Sequence, residues 1–201
     1  ITPQQGGYLY DFGLNSAGVC RLTVKGKKGQ KITFAHSEAL ENGEFTMKNI
    51  LYHHPEYNQT DVYICKGRGV ETYVPGFTYH GFRYVLVKGI TEEQATPELL
   101  TYLEMSSDLA ERGGFSCSDE TANTLQTLTR RSTLANFYHF PTDCPHREKN
   151  GWTGDAALSA EHTLLNLAPE KCYAEWLANI RAAQREDGAL PGIVPTGGWG
   201  F

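Results

Sequence analysis

The sequence predicts an antiparallel, jelly-roll-like β-sandwich followed by a group of α-helices. Apolar and polar residues alternate in short segments of the first hundred residues, and Gly and Pro separate these segments. From Ser118 onward, apolar residues recur at helical spacing instead. Period-two segments between turn residues are typical of half-buried strands, and a 3.6-residue period is typical of amphipathic helices. We therefore expect a β-sandwich domain at residues 1–110 and a helical domain at residues 111–201.

The clearest strand pattern of the β domain lies at residues 19–25, where alternate apolar side chains share one face. A Gly-bounded turn at 26–29 and a second alternating segment at 31–37 complete a hairpin pattern. The polar, aperiodic segment 38–57 is expected to be a long loop that carries the His53-His54 pair at the surface. Further strand candidates are Asp61 to Cys65, Val70 to Val74, Phe82 to Lys88 and Leu99 to Met105.

Three amphipathic helices are expected in the second domain. Ser118 is the predicted N-cap of the first helix, which should run to about Phe137. Thr153 is the candidate cap of the second helix, and Pro169 suits the first position of the third. Three such helices do not close a compact domain easily. We therefore expect an exposed apolar helical face, which could support a homodimer.

Composition and charge exclude several classes of protein. The chain has 201 residues and a net charge of −5, without a Lys/Arg cluster that would bind nucleic acid. Its apolar runs are too short for a membrane span. The five cysteines are widely spaced and odd in number, so we expect inert thiols instead of a disulfide framework. A reducing compartment fits this usage, and a periplasmic one stays open.

The termini suggest that the sequence is a fragment. It does not begin with Met, and it stops within a glycine-rich segment, Gly197 to Phe201. We therefore expect a longer protein at both ends.

The most informative segment for function is 143–155. It concentrates three carboxylates, an arginine, a histidine and a tryptophan between a loop and a predicted helix start. Carboxylates bind sugar hydroxyls, a protonated carboxyl can donate to a leaving oxygen, and an indole can cover the apolar face of a pyranose. This composition indicates a sugar-cleaving site. The residues concerned are Asp143, His146, Arg147, Glu148, Trp152 and Asp155.

Each of these residues also has an ordinary structural explanation. Asp155 suits the first turn of a helix, and Asp143 suits an Asx-type turn. Glu148 stands between two basic residues, as surface charges often do, and Trp152 could belong to the core. Taken singly, the structural explanation is the more common one. Their occurrence within thirteen residues favours a site.

Two other chemistries fit the segment less well. Cys144 and His146 could form a thiol nucleophile with its base, but residues two positions apart in a loop rarely have that geometry. His139, Asp143 and His146 could bind a metal, but their spacing matches no strong motif. We therefore predict neither a metal nor a cofactor.

The segment resembles the catalytic signature of bacterial α-L-rhamnosidases, which are glycoside hydrolases with a six-fold α/α barrel. The similar positions are Asp143-Cys-Pro, Arg147-Glu148, Gly151-Trp152 and Gly154-Asp155. Segments in both predicted domains also resemble this family, so the resemblance covers essentially the whole chain. These segments are Tyr10 to Gly13 with Gly18, Phe77 to Tyr84, Gln184 to Gly188 with Pro191, and the glycine-rich tail.

The resemblance implies inverting hydrolysis of terminal α-L-rhamnosyl bonds in rhamnose-containing glycosides. It assigns Glu148 as the general acid, Asp143 and Asp155 as ligands of the sugar hydroxyls, and Arg147 and Trp152 as further substrate-binding residues. It also implies that residues 111–201 are the N-terminal part of the barrel, with the general base on a later helix, so the chain alone should be inactive. A non-catalytic carbohydrate-binding module and another α/α-barrel glycosidase remain open alternatives.

Overall fold

The computed structural model describes residues 1–51 and 58–195. The chain divides into two compact units, Ile1–Met105 and Ser106–Phe201. The first unit is an antiparallel β structure and the second is mainly helical, which confirms the predicted fold class. The predicted surface pair His53-His54 and the glycine-rich tail lie outside the described residues. Within those residues, each helix is too short or too polar to cross a bilayer.

The first unit is built on a seven-stranded antiparallel sheet with the strand order β1-β2-β8-β3-β6, and β7 and β9 also pair with β2. Strands β4 and β5 form a separate short hairpin. The bounds in chain order are β1 (Thr2–Gln4), β2 (Gly7–Lys25), β3 (Lys31–Ser37), β4 (Leu40–Glu41), β5 (Glu44–Phe45), β6 (Thr60–Ile64), β7 (Val70–Tyr73), β8 (His80–Lys88) and β9 (Leu100–Glu104).

Strand β2 contributes to the core with both of its halves. Its pairing with β8 is irregular between Asp11 and Ser16, and a bulge of this kind bends a strand. The part before the irregularity pairs with β1 and β8, whereas the last part pairs with β9 and β7. Tyr10 and Leu22, one from each half, nevertheless belong to the same buried cluster. The two arms of one long strand therefore enclose a common core.

The predicted strand at 31–37 is confirmed as β3. Its alternate residues Ile32, Phe34 and His36 are fully buried. Burial of an Ile or Phe side chain contributes about 1.5–3 kcal/mol, which fixes the register of this strand. The predicted loop at 38–57 is wrong in part, because β4 and β5 form a hairpin around Asn42-Gly43. Both turn residues have positive φ, the conformation that favours Asn-Gly in two-residue hairpin loops.

The second unit contains helices α1 (Glu120–Ala135), α2 (Thr153–Asn166) and α3 (Glu170–Ala182), with a short hairpin of β10 (Phe137–Tyr138) and β11 (Phe140–Pro141). The N-cap of α1 is Asp119 and not Ser118 as predicted, because the Asp119 carboxylate accepts the N–H groups of Thr121 and Ala122. The helix ends before Phe137, which instead begins β10.

The predicted starts of the other two helices are each displaced by one residue. Thr153 is the first residue of α2, and Trp152 occupies the N-cap position. The Thr153 hydroxyl donates to the Gly192 carbonyl oxygen instead of capping the helix. Pro169 is the N-cap of α3 and not its first residue. Trp152 is bridged to Ile193, so the chain enters α2 from an extended pairing.

Candidate active site

A short loop from Asp143 to Asn150 carries the predicted acid. The Asp143 N–H donates to the Asn150 carbonyl oxygen at 3.0 Å, and the Asn150 N–H donates to Asp143 Oδ1 at 2.9 Å. These two hydrogen bonds join the first and last residues of the loop. The Asp143 carboxylate therefore closes the loop through Asn150, seven residues later, and not through the local Asx-type turn that the sequence suggested.

Cys144 supports this loop from inside. Its side chain is buried, and Sγ accepts the N–H of Glu148 at 3.3 Å. Burial is the main cause that raises the pKa of the Cys144 thiol. Because nucleophilic attack requires the thiolate, a protonated buried thiol fits a structural role. Burial of this thiol thus argues against the Cys144–His146 nucleophile that the sequence allowed.

Glu148 and Trp152 are joined directly. The indole Nε1–H of Trp152 donates to Glu148 Oε2 at 3.0 Å, and both residues are partly buried. A buried indole N–H normally finds an acceptor, and here that acceptor is the carboxyl group predicted to act as the acid. The contact restricts the Glu148 side chain to one orientation and presents the indole ring beside it.

Asp143 and Asp155 line one concavity of about 500 Å³ between α1 and α2. Its size lies within the range of about 300–1,000 Å³ that small-molecule sites occupy. Thr142, Ser159 and His162 contribute further polar groups to the lining. Sequence reasoning missed these three residues. A signal for two of them was present, since Ser159 and His162 follow Asp155 at the four- and seven-residue spacing of one helical face.

The structure divides the predicted site residues into two pairs. Asp143 and Asp155 share the concavity, while Glu148 and Trp152 share a hydrogen bond. Among the described residues, the lining of that concavity does not include Glu148, Trp152 or Arg147. Arg147 is exposed on the loop. The catalytic role of Glu148 and the binding roles of the other four residues therefore stay predictions.

Two backbone hydrogen bonds join residues 151–153 to residues 192–194 at the start of α2, and we call this pairing the backbone clip. The Val194 N–H donates to the Gly151 carbonyl oxygen at 2.9 Å, and the Thr153 N–H donates to the Gly192 carbonyl oxygen at 2.8 Å. A Cβ atom on Gly151 would lie only 2.0 Å from the Val194 carbonyl oxygen. The glycine in the Gly151-Trp152 pair is thus explained by close backbone packing, which holds Trp152 where it meets Glu148.

Comparison with known protein families assigns both units. Residues 1–106 match the bacterial alpha-L-rhamnosidase concanavalin-like domain. Residues 110–201 match the bacterial alpha-L-rhamnosidase 6 hairpin glycosidase domain. Together the two matches cover almost the whole chain.

Individual relatives agree with these matches. An alpha-L-rhamnosidase of Formosa agariphila is 36% identical over 178 residues, which is 88% of this chain and 19% of that protein. An alpha-L-rhamnosidase of Streptomyces avermitilis is 33% identical over 198 residues, which is 98% of this chain and 19% of that protein. The chain therefore spans about a fifth of the length of these curated relatives.

Solved structures show the same similarity in three dimensions. The alpha-L-rhamnosidase of Dictyoglumus thermophilum has a TM-score of 0.88 and 36% identity, with 100% of this chain and 22% of that one covered. The Streptomyces avermitilis alpha-L-rhamnosidase complexed with L-rhamnose has a TM-score of 0.87 and 33% identity, with 96% of this chain and 18% of that one covered. The alpha-L-rhamnosidase of Aspergillus terreus has a TM-score of 0.87 and 35% identity, with 94% of this chain and 22% of that one covered.

Proposed function

The chain belongs to the bacterial α-L-rhamnosidase family, a family of glycoside hydrolases, and on that premise we propose that the protein containing it removes terminal non-reducing α-L-rhamnosyl residues from glycosides. We propose that the reaction inverts the anomeric configuration. The observation that carries the proposal is the arrangement of segment 143–155. Two of its carboxylates line one concavity, and the third is held by an indole.

The two aspartates are proposed to hold the sugar. Asp143 and Asp155 come from a closed loop and from the first turn of α2, yet both reach the same concavity. Carboxylate oxygens there would accept hydrogen bonds from adjacent hydroxyls of a deoxyhexose. The exposed Arg147 is proposed to contact the substrate from the loop. The rhamnose in the Streptomyces avermitilis structure supports this choice of sugar for the family.

Glu148 is proposed as the general acid. Cleavage of a glycosidic bond requires a proton on the leaving oxygen, and a carboxylic acid close to that oxygen can supply it. The indole N–H of Trp152 holds Oε2 of Glu148, so the transferable proton would be carried on Oε1. The Trp152 ring, fixed beside the acid, is proposed to cover the apolar face of the sugar.

The general base is proposed to lie outside residues 1–201. An inverting enzyme needs a second carboxylate about 6.5–9.5 Å from the acid to activate water. The chain spans about a fifth of its curated relatives, and we propose that residues 111–201 form the N-terminal part of their barrel domain, after a β-sandwich domain at residues 1–110. The chain alone should then release no rhamnose. Measurable release of rhamnose from an aryl α-L-rhamnoside by residues 1–201 would contradict this.

The acid role is tested in the whole protein that contains this chain. Glu148→Gln should lower kcat on an unactivated rhamnoside by about 10²- to 10⁴-fold, the usual contribution of general acid catalysis, with little change in KM. Glu161→Gln, which makes the same change on the exposed side of α2, should leave kcat within about twofold. Equal turnover by the two variants would remove Glu148 from the mechanism.

The same assay separates the alternative functions. A non-catalytic carbohydrate-binding protein would retain rhamnose without releasing it from any glycoside. Another α/α-barrel glycosidase would prefer a different aryl glycoside when a panel of sugars is compared. Only rhamnoside turnover that depends on Glu148 supports the proposed activity.

A further inference from the structure

A second group of chemically active side chains lies in the β unit, away from segment 143–155 in the sequence. His36, Asp61 and His80 each offer one ligand atom, and the three atoms lie within 4.8 Å of one another. His80 Nε2 is 3.0 Å from Asp61 Oδ2, and His36 Nε2 is 3.9 Å from the same oxygen. The three residues come from β3, β6 and β8, so the group connects three strands.

The burial of this group is unusual for ionisable side chains. The His36 side chain is fully buried, that of His80 is 6% exposed, and that of Asp61 is 11% exposed. The two imidazole rings lie 4.3 Å apart between centroids, and His36 also contacts the ring of Phe82. Burying ionisable groups costs free energy unless partners compensate them. A cation bound between the two tilted imidazoles and the carboxylate would offset part of this cost.

The orientation of His36 is that of a metal ligand. Its Nδ1–H donates to the backbone carbonyl oxygen of Gln59 at 2.9 Å, and its other ring nitrogen, Nε2, lies 3.9 Å from Asp61 Oδ2. Gln59 is itself fixed, because its side-chain amide exchanges hydrogen bonds of 2.8 and 2.7 Å with the backbone of Gly81. A backbone carbonyl that holds one imidazole nitrogen, so that the other binds the metal, is the usual outer-sphere arrangement of metal-ligating histidines.

We propose that His36, Asp61 and His80 form a binding site for a divalent transition-metal cation, with zinc as the preferred ion. Imidazole and carboxylate are ordinary zinc ligands, and bonds of about 2.0–2.2 Å in a tetrahedron place ligand atoms a little over 3 Å apart. The two distances to Asp61 Oδ2, 3.0 and 3.9 Å, are close to this value, and all three ligand atoms lie within 4.8 Å of one another, so side-chain rotations would bring them to this geometry. Water completes the coordination on the side where Asp61 is partly exposed.

The proposed site has a structural role. Strand β6 is the last strand in the order β1-β2-β8-β3-β6, so among the strands that the structure describes it pairs with β3 alone. A cation shared by Asp61 on β6, His36 on β3 and His80 on β8 would fasten this edge strand to the core. It would also neutralise a carboxylate that faces two imidazoles. The cluster is chemically independent of the rhamnosidase proposal, because it uses none of the residues in segment 143–155.

The test measures metal binding directly. The purified chain is stripped with a chelator and titrated with ZnSO4 in a calorimeter, and bound metal is counted by mass spectrometry after dialysis. One zinc ion per chain is expected, with a melting temperature that rises with zinc concentration. Asp61→Asn and His80→Gln should each weaken binding by at least about 100-fold, since removal of a direct ligand exceeds the 10- to 100-fold loss from outer-sphere changes. His139→Asn, at an exposed histidine of the second unit, should bind zinc as the parent does.

Two controls distinguish zinc bound at the proposed site from zinc bound by a cysteine thiol. Cys117 is exposed and could bind zinc through its thiol, so the titration is repeated in a Cys117→Ser background. Cobalt(II) then serves as a spectroscopic probe, because ligation by nitrogen and oxygen gives visible bands without a thiolate charge-transfer band. Far-UV circular dichroism confirms that each variant is folded. Absence of stoichiometric binding by the parent chain, or equal binding by the folded Asp61→Asn variant, would overturn the proposal.

Discussion

At the scale of single residues, Glu71 shows how one carboxylate can organise a turn. Its oxygens accept the hydroxyl of Tyr63 at 2.7 Å and the backbone N–H groups of Lys66, Gly67 and Arg68 at 2.8, 2.7 and 3.3 Å. The hydrogen bond from Tyr63, followed by those from the backbone, lowers the pKa of Glu71 to about 2. The ionised side chain thus holds the connection between β6 and β7.

This arrangement predicts a pH-dependent contribution to stability. The folded pKa of Glu71 lies below its ordinary value of about 4.5, so the stabilisation is complete above that pH and is lost as pH falls towards about 2. Glu71→Gln should therefore lower the melting temperature by several degrees at pH 7, and the difference from the parent should shrink between pH 4.5 and pH 2. Thermal unfolding followed by far-UV circular dichroism at pH 7, 4 and 2.5 measures this.

Glu92→Gln provides the matched control, because Glu92 is an exposed residue of a short 3₁₀ helix in the same unit. It should change the melting temperature little at any of the three pH values. A Glu71→Gln effect of constant size from pH 7 to pH 2.5 would show that charge is not the cause.

Part of the candidate site could be predicted from the amino-acid sequence alone. The clustering of carboxylates with Trp152 in segment 143–155 was visible in the sequence, and so was the resemblance it carries. The concavity that Asp143 and Asp155 share could not be predicted from the sequence, because it depends on how Asn150 closes the loop. The His36, Asp61 and His80 group had no local signal either. Its members lie on three strands, and only sheet pairing brings them together.

At the scale of elements, the clip between residues 151–153 and 192–194 positions the start of α2. Three contacts converge on it, namely two backbone hydrogen bonds and the indole of Trp176, whose Nε1–H donates to the Val194 carbonyl oxygen at 2.6 Å. Ile193 and Val194 are both buried. This packing leaves no room for a side chain at Gly151.

Gly151→Ala should therefore destabilise the second unit. The new Cβ would meet backbone atoms of Val194, so backbone must move, at a cost of about 1–3 kcal/mol in the free energy of unfolding. Gly154→Ala is the matched control three residues away, since a Cβ there meets nothing within 4 Å and the residue is helical. It should be neutral or stabilising by up to about 1 kcal/mol.

Urea unfolding followed by tryptophan fluorescence measures the unfolding of the second unit, because the three tryptophans of the chain all follow residue 105 in the sequence. They are Trp152, Trp176 and Trp199. Equal midpoints for the two alanine variants would mean that the clip can relax around a methyl group.

The elements that could be predicted were those with a single dominant periodicity. Strand β3 followed from its alternation, whereas the first half of β2 did not, because its irregularity between Asp11 and Ser16 interrupts the period. The β4–β5 hairpin has two-residue strands that are too short for a period, and its Asn42-Gly43 turn signal was not used when the segment was interpreted as a loop. The cap of α1 was displaced by one residue because Ser118 and Asp119 are both good caps, and hydrogen bonds to Thr121 and Ala122 decide for Asp119.

At the scale of the whole molecule, several leucines on the three helices are exposed, and one of them, Leu158, also lines the concavity that holds Asp143 and Asp155. Leu158 on α2 is 88% exposed, and Leu125, Leu165 and Leu177 on the three helices are 60–65% exposed. Scattered exposed leucines are common, but several on neighbouring amphipathic helices indicate a surface that packs against another chain or another segment. We propose that the isolated chain self-associates through this surface.

Sedimentation velocity over a range of concentrations measures this association. The double variant Leu158→Lys/Leu165→Lys should raise the dimer dissociation constant at least about tenfold, a loss of about 1.4 kcal/mol, because charged side chains replace buried methyl groups. Val70→Lys is the control, since Val70 is 68% exposed on β7 of the first unit and should leave the association unchanged. A chain that stays monomeric at every concentration would refute the proposal. Equal weakening by Val70→Lys would move the contact to the β unit.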